Sequence, residues 1–295
     1  MNRWYWLLAA LGVGCATTSQ VPPTFTYGPP AGTRFVRTVR LINETSLVGS
    51  PFRQREETEF VWNVGFAHEG DLILVTQQLQ RVALRINGAE VLDGERIPGN
   101  NLSVDLLVSR EPRVVEVRGA ERAAEVLSAL LRPGAAAESQ GMLTPELVRQ
   151  IAVARFEMVV RDVVGHPTAP GSTWTSPDPD TAVLSKTMVV DRFEPCANAR
   201  CAHVSAQYEV NPQAAARRAL RSAAAFLARN GVNPAEAEVL DASLDYRDEL
   251  LVEPATLVDH GATFSKTARV TFAGARGAPI PVEFRSALEQ SSTFP

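Results

Sequence analysis

The sequence has few cysteines, few lysines and no long apolar run at its start, and each shortage excludes a class of protein. Three cysteines in 295 residues cannot supply a four-cysteine zinc site. Only two of the 29 basic residues are lysines, the net charge is −4, and no basic stripe predicts nucleic-acid binding. The N-terminal apolar run, from Trp4 to Val13, is far shorter than the roughly 20 residues that span a bilayer.

Motifs of the common enzyme classes are also missing. The chain contains no G-x-S-x-G, no P-loop and no dinucleotide-binding fingerprint. Its four histidines stand singly, with no partner at metal-ligand spacing: His68, His166, His203 and His260. Two acidic runs, "SPDPDT" and "LDASLDYRDE", lack the glycine and closing glutamate of a calcium loop, so we interpret them as a turn and a hairpin end. The sequence therefore predicts no catalytic residue, metal or cofactor.

The N-terminus has the layout of an export signal. Arg3 supplies a positive charge, an apolar segment follows, and small residues precede Cys15. This arrangement resembles the bacterial lipobox, in which the signal is cut before a cysteine that carries diacylglycerol. The family pattern prefers leucine three residues before the cysteine, whereas Leu11 stands four before it. We predict that residues 1–15 are a lipoprotein signal and that Cys15 is lipidated; the alternative is an ordinary cleaved signal with an incidental cysteine.

Residues 16–32 are rich in Thr, Ser, Pro and Gly and show no hydrophobic periodicity. Such a segment buries no core and is expected to stay extended, holding a domain roughly 50 Å from the bilayer at about 3.1 Å per residue. Residues 33–295 are then a single folded domain. The predicted location is the cell envelope, with the lipid anchor in the outer membrane and the domain facing the periplasm or the cell surface.

The two remaining cysteines, Cys196 and Cys201, bracket the segment "CANARC" between two runs that read as strands. We predict a disulfide that clips a hairpin and contributes roughly 2 kcal/mol in the chain-entropy model. The alternatives are a redox dithiol or, with His203 two residues further on, a metal site. Redox pairs usually read C-x-x-C and structural zinc usually takes four ligands, so the disulfide is preferred.

The first third of the folded part predicts long strands. Phe60, Trp62, Val64 and Phe66 alternate with polar residues, which is typical of a strand with one buried face. In the next run the apolar residues change phase between Leu79 and Val82, which predicts a β-bulge near Gln80. Long strands with short loops favour a curved antiparallel sheet.

Helical patterns follow at residues 120–132, with Pro133 and Gly134 after them, and from Thr144, a plausible N-cap before Pro145. The segment 153–163 fits a strand as well as a helix. A third helical pattern covers residues 211–231, between further strands. The predicted fold class is α+β, a large curved antiparallel sheet forming a half-barrel, with a few helices covering its concave face.

The order of these elements, with the segment Gly171, Ser172, Thr173 and Trp174 before the closing strands, resembles a family of uncharacterised bacterial envelope lipoproteins. That family has a V-G-D-S-W-like segment there, and this chain lacks its acidic residue. More distantly, the plan is similar to the half-barrel carriers and chaperones that localise lipoproteins. The resemblance spans residues 33–295 and implies an open sheet under helices, without identifying binding residues.

The two lysines share the tripeptide "SKT", and strand alternation places Lys186 and Lys266 on apolar faces. Buried ammonium groups are costly, so one interpretation is that both reach water at strand ends or protect a sheet edge. The other is that they line the rim of a concave sheet and bind an anionic ligand such as a lipid headgroup.

Three hypotheses for function result. The preferred one is a non-enzymatic, membrane-anchored envelope lipoprotein that binds a hydrophobic or acylated ligand in its concave sheet. The second is an interaction or scaffold lipoprotein of an envelope assembly, with an envelope protein as partner and no ligand cavity. The third, a hydrolase, has no motif to support it. An open apolar cavity of a few hundred Å³ distinguishes the first from the second.

Overall fold

A computed structural model describes residues 23–49, 51–94, 102–130, 144–178, 180, 182–197, 199–218, 238–273 and 279–295. Most of these residues belong to one antiparallel sheet. Its first six strands are β1 (Arg34–Leu47), β2 (Arg53–Glu69), β3 (Leu72–Ile86), β4 (Ala89–Gly94), β5 (Ser103–Val108) and β6 (Val114–Arg118). The other six are β7 (Thr173–Ser176), β8 (Val183–Cys196), β9 (Ala199–Val210), β10 (Val239–Val252), β11 (Asp259–Ala273) and β12 (Pro279–Thr293).

The strands lie in the order β6-β5-β3-β2-β1-β12-β11-β10-β9-β8-β7. Strand β4 pairs with the C-terminal part of β3, from Val82 to Ile86. The N-terminal strand β1 pairs with the C-terminal strand β12 in the middle of this order, so both halves of the chain share one sheet. The sheet is open, with β6 and β7 at its two ends. The predicted curved antiparallel sheet with a few helices is confirmed at this level.

The predicted β-bulge near Gln80 is present. Leu79 pairs with Trp62 and Arg81 pairs with Val61, so Gln80 is the extra residue on β3. The bulge lets Leu79 and Val82 both point into the core, where they are 4% and 3% exposed. On β2, Val64 and Phe66 are buried as the alternation predicts.

In the described ranges three helices accompany the sheet: α1 (Ala120–Leu130), α2 (Pro145–Val160) and α3, which is described over 212–218. The predicted cap of α2 is confirmed, because the Thr144 hydroxyl accepts a hydrogen bond from the backbone N–H of Leu147 at 3.2 Å. The helix continues to Val160, which decides the ambiguous segment 153–163 largely in favour of helix. Within the described ranges, no helix is both long and apolar enough to cross a membrane.

Helices α1 and α2 pack on each other and on β5, and α2 also contacts β6. The largest core cluster joins α1 and the start of α2 to strands β1, β2, β3 and β5. A second cluster joins the end of α2 to β7, β8, β9 and β10. The helix side of the sheet is therefore the buried side along both halves.

The folded part begins before residue 33. Phe25 is 1% exposed, and it is held by backbone hydrogen bonds of 2.9 Å to His166 O and 2.8 Å from Gly165 N. Its ring lies 6.2 Å from that of Trp174. The prediction that residues 16–32 bury no side chain is therefore wrong at Phe25, because an aromatic ring among the prolines suffices to dock the segment. Cys15 and the rest of residues 1–22 lie outside the described residues.

Candidate functional site

Both lysines belong to one buried cluster of charged and aromatic side chains, which we call the lysine network. In register, Lys186 on β8 faces Tyr208 on β9, and Lys266 on β11 faces Tyr246 on β10. Paired residues between β9 and β10 end at Ala206 and Asp248. Just beyond that point the rings of Tyr208 and Tyr246 stack at 5.1 Å, so side chains continue the contact between the two strands.

Lys186 is 5% exposed, and its ammonium group lies between two carboxylates. The Nζ atom is 2.9 Å from Asp162 Oδ2 and 3.1 Å from Asp248 Oδ2. Asp162 comes from the turn after α2, where Ser176 Oγ donates to its Oδ1 at 2.7 Å. Tyr208 donates its hydroxyl to Asp248, and the same ring faces the ammonium group at 5.6 Å. Lys186 therefore ties the turn after α2 to β10.

Lys266 is half-buried, and Asp180 is the carboxylate that it contacts. The two groups are 3.1 Å apart, and Asp180 also accepts hydrogen bonds from Tyr246 Oη at 2.6 Å and from Ala182 N at 3.1 Å. Arg218 on α3 completes the site, with Nη1 2.7 Å from Asp180 Oδ1. Asp180 therefore joins α3, β10 and β11 through a single carboxylate.

The electrostatics of the network differ at its two lysines. Burial lowers the pKa of Lys186, but the carboxylates of Asp162 and Asp248 raise it more, so its pKa lies above the usual value. Burial lowers the pKa of Lys266, and the single bond to Asp180 does not reverse the shift. Burial raises the pKa of Asp180. The hydrogen bonds from Tyr246, Ala182 and Lys266 lower this pKa by more than burial raises it, so it lies below the usual value. The pKa values of Tyr208 and Tyr246 are both raised. Burial is the larger cause, and the aspartate that each hydroxyl contacts raises the pKa further.

The network is balanced in charge. Its contacts of 3.1 Å or less join three cations to three carboxylates: Lys186, Lys266 and Arg218 to Asp162, Asp180 and Asp248. A further cation, Arg161, lies at the edge of the network, with Nε 3.7 Å from Asp162 Oδ1. Among the described atoms of the lysine network, one buried side-chain atom has no hydrogen-bond partner, and it is an acceptor, Asp248 Oδ1. An anionic headgroup would have to displace a carboxylate from a lysine, so the arrangement suits a structural clamp better than an anion site. Lys186 does not reach water as a strand-end lysine would.

A second polar cluster lies between the sheet and α2. Arg37 and Asp259 form a buried ion pair, and Gln290 donates its side-chain amide to the same aspartate. Tyr27 Oη and Arg37 Nε are buried without a partner among the described atoms. Together with apolar residues of α2, these groups line a cavity of about 30 Å³. A cavity of this size holds a water molecule, but it is too small for an acyl chain.

Two wider grooves open on the surface that the described residues form. One, of about 700 Å³, crosses β1, β2 and β3 beside the C-terminus, with Gly65 and Val36 in its wall. The other, of about 550 Å³, lies between the edge strand β6 and α2, which we call the β6–α2 groove. Val115 in its wall is 61% exposed and is the unpaired residue at a bulge between β5 and β6.

The predicted disulfide is confirmed. Cys196 ends β8, Cys201 lies near the start of β9, and their Cα atoms are 5.8 Å apart across the hairpin. His203, the histidine nearest in sequence, instead hydrogen-bonds Asp191 at 2.9 Å through Nδ1. The histidine that approaches the two sulfurs is His260 on β11.

Sequence reasoning found the lysines but missed their partners. Asp162 and Asp180 come from a helix end and a proline-rich turn, and nothing in their local pattern separates them from surface acids. Asp248 lies inside β10, so the interpretation of its acidic run as a hairpin end is wrong. Alternation along β10 places Asp248 on the same face as Tyr246 and Leu250, which are both buried. This pattern in the sequence indicates that Asp248 points toward the core.

No protein-family model matches the chain, and no curated protein matches it. DynF, from the dynemicin biosynthesis pathway of Micromonospora chersina, aligns with 94% of this chain and 90% of its own, at 8% identity and a TM-score of 0.19. OccK11 (OpdR) of Pseudomonas aeruginosa aligns with 92% of this chain and 100% of its own, at 10% identity and a TM-score of 0.21. Scores this low carry no argument about fold or function. The resemblance to envelope lipoproteins therefore stays a prediction.

Proposed function

We propose that the chain is a membrane-anchored bacterial envelope lipoprotein without catalytic activity, whose folded sheet works as an interaction module in an envelope assembly. The export features before Cys15 support the anchor. The observation that carries the interaction role is the β6–α2 groove, where an aliphatic side chain, Val115, stands 61% exposed in a wide surface groove. A single exposed apolar residue would be ordinary, but Val114, Val117 and Val153 line the same groove, and contiguous exposed apolar surface is typical of a site that a partner covers.

The walls of this groove indicate what the partner presents. Val117 and Val153 add apolar surface, while the carboxylates of Glu116, Glu146 and Glu157 line it together with a single cation, Arg149. Each of these carboxylates is paired with an arginine, Glu116 with Arg118, Glu146 with Arg149 and Glu157 with Arg161, so the groove carries little net charge. A partner segment with apolar side chains surrounded by uncharged polar groups therefore fits best. The edge strand itself is short, bulged and charged, features that discourage pairing with another strand. We therefore propose contact through side chains.

The interaction module is a better proposal than the carrier because, among the described residues, the space between α2 and the sheet is largely filled. We propose that the curled sheet is a half-barrel and that α1 and α2 cover its concave face, since both helices contact β5. The cavity under α2 measures about 30 Å³, whereas ligand cavities usually measure several hundred. The lysines, moreover, are neutralised by aspartates instead of facing an open rim.

A photoreactive amino acid placed at Val115 in the full chain tests the interaction module. In the native membrane, irradiation is expected to give one discrete adduct with an envelope protein. The matched control is Leu184 on β8, which is 59% exposed but lies near the opposite end of the sheet. A second chain carrying the same photoreactive group at Gln150, across the groove, should lose its adduct when Val115→Glu is added. Equal adducts at Leu184, or none at Val115, would contradict the proposal.

A lipid carrier remains the second candidate, because the groove of about 700 Å³ over β1, β2 and β3 has room for an acyl chain. Gly65 lies in this groove, and a Cβ atom there would come only within 3.8 Å of Arg34 Cγ, an ordinary contact. Gly65→Phe therefore fills the groove without entering the core. If the full chain binds a fluorescent acyl probe and this variant does not, the carrier function replaces the interaction module.

A further inference from the structure

The disulfide has a buried histidine beside it that its sequence position does not reveal. The two sulfurs and one ring nitrogen of His260 lie within 4.8 Å of one another. Cys201 is fully buried, Cys196 is 7% exposed and His260 is 9% exposed. The three side chains come from β8, β9 and β11, so the sheet, and not a local motif, brings them together.

His260 is oriented by a hydrogen bond to a carboxylate. Glu253, which follows β10, lies with Oε1 2.8 Å from His260 Nε2 and also accepts a hydrogen bond from Thr256 Oγ1 at 2.7 Å. The Phe294 ring stacks on the imidazole at 4.3 Å. A histidine whose one nitrogen is held by a carboxylate has its other nitrogen free as a metal donor, the usual arrangement around protein-bound zinc.

We propose that reduction of the Cys196–Cys201 disulfide creates a zinc site. Its ligands are the two thiolates and the His260 imidazole. Because Nε2 is hydrogen-bonded to Glu253, we assign Nδ1 as the nitrogen that binds the metal. Two sulfurs and one nitrogen are a soft donor set that favours Zn²⁺ over Ca²⁺ or Mg²⁺, and the fourth tetrahedral position is left for water. The same pair of cysteines then has two states, a metal-free disulfide and a metal-bound dithiolate.

The step from one state to the other needs an external dithiol reductant. A thiolate of the reductant attacks the sulfur of Cys196, the more exposed residue of the pair, and the Cys196–Cys201 bond breaks to leave a Cys201 thiolate. The second thiol of the reductant then attacks the mixed disulfide. Two electrons pass to the protein, the reductant leaves as a disulfide, and two thiols remain. Zinc binding releases the two thiol protons.

The full chain, purified in detergent, tests the proposal with Zn²⁺ as the probe. It is reduced with a phosphine, which does not itself bind zinc as a thiol does, then exposed to Zn²⁺, dialysed and assayed for metal. We expect about one zinc per reduced chain and none per oxidised chain. Co²⁺ in place of Zn²⁺ should give the thiolate charge-transfer band and tetrahedral ligand-field spectrum of a sulfur-rich site. Repeating the assay with Cys15→Ser removes any contribution from a third thiol.

Two histidine variants separate this site from adventitious binding. His260→Gln should weaken zinc affinity by about 100-fold or more, while His203→Gln, which changes the histidine nearest to Cys201 in sequence, should leave it unchanged. Glu253→Gln should weaken it by about 10-fold or more, because the imidazole loses its oriented support. If the reduced chain binds no zinc, gives no thiolate band with Co²⁺, or binds zinc equally with His260→Gln, the proposal is wrong.

Discussion

Lys186 shows how a cation can stay charged in the core of this protein. Its ammonium group has left water almost completely, and an isolated charge there would cost several kcal/mol. The two carboxylates at 2.9 and 3.1 Å offset that cost. Ser176 satisfies the other oxygen of Asp162, and Tyr208 donates a second hydrogen bond to the Asp248 oxygen that contacts Lys186. The ammonium group of Lys186 thereby holds the turn after α2 against β10. Without it, the buried carboxylates of Asp162 and Asp248 would face each other.

The first prediction compares the two lysines by the same substitution. Lys186→Met should lower the free energy of unfolding by about 3–5 kcal/mol, the usual effect of breaking a buried ion pair from one side. Lys266→Met should cost clearly less, because its side chain is 17% exposed and contacts one carboxylate. Denaturant unfolding of both variants, followed by tryptophan fluorescence, measures the difference. Equal losses would show that Lys186 is not the central cation of the network.

The second prediction concerns Asp180 and pH. Its pKa is lowered in the folded state, so its ionised form stabilises the fold above the unfolded pKa of about 4, and this contribution is lost as pH falls through the folded value. Tyr246→Phe removes one donor to Asp180 and brings its pKa closer to the usual value. The acid loss of stability below pH 4 should therefore be smaller in Tyr246→Phe than in the original chain.

Equilibrium unfolding at a series of pH values between about 2 and 7 measures this effect. Tyr208→Phe is the matched control, since its hydroxyl donates to Asp248 and not to Asp180. Parallel pH profiles for the original chain and Tyr246→Phe would mean that the Tyr246 hydroxyl does not help to hold Asp180 ionised.

At the scale of single strands and helices, the sequence predicted what depends on local pattern. The phase change after Leu79 revealed the bulge at Gln80, and the Thr144–Pro145 pair revealed the start of α2, because both signals lie within a few residues. The partners of the lysines were not predictable in this way. Lys186 and Asp162 are 24 residues apart, and Lys266 and Asp180 are 86 apart, so only the folded sheet brings them together.

The β8–β9 hairpin gives the third prediction. Replacing Cys196 and Cys201 together by alanine should lower the free energy of unfolding by about 2 kcal/mol, because the ring closed by the disulfide is short and little unfolded-state entropy is restored. The domain should stay folded, since β8 pairs with β9 along most of its length. Unfolding of the original chain with and without a phosphine reductant should show the same difference, and the reductant should have no effect on the double variant.

On the scale of the whole molecule, docking of Phe25 changes the distance between the fold and the predicted anchor. The segment is fixed to the turn after α2 by its backbone bonds to Gly165 and His166. Nine Cα–Cα steps separate Cys15 from Thr24, so an anchor at Cys15 lies at most roughly 30 Å from the docked segment. This is well below the roughly 50 Å expected for a free spacer over residues 16–32. If Cys15 carries the predicted lipid, Thr24 therefore lies within roughly 30 Å of the bilayer surface.

The fourth prediction tests the anchor itself. If Cys15 carries diacylglycerol, Cys15→Ser should release the folded chain from the membrane fraction, because the peptide that remains has no acyl chains to insert and no basic patch to bind anionic lipid. Fractionation of cells that express each chain, with detection by antibody, measures the release. The double alanine variant of Cys196 and Cys201 is the control and should stay in the membrane fraction. Equal retention of Cys15→Ser, in a chain whose signal is shown by N-terminal sequencing to have been cleaved, would mean that the lipobox interpretation is wrong, and that any attachment to the envelope runs through the folded sheet and its partner.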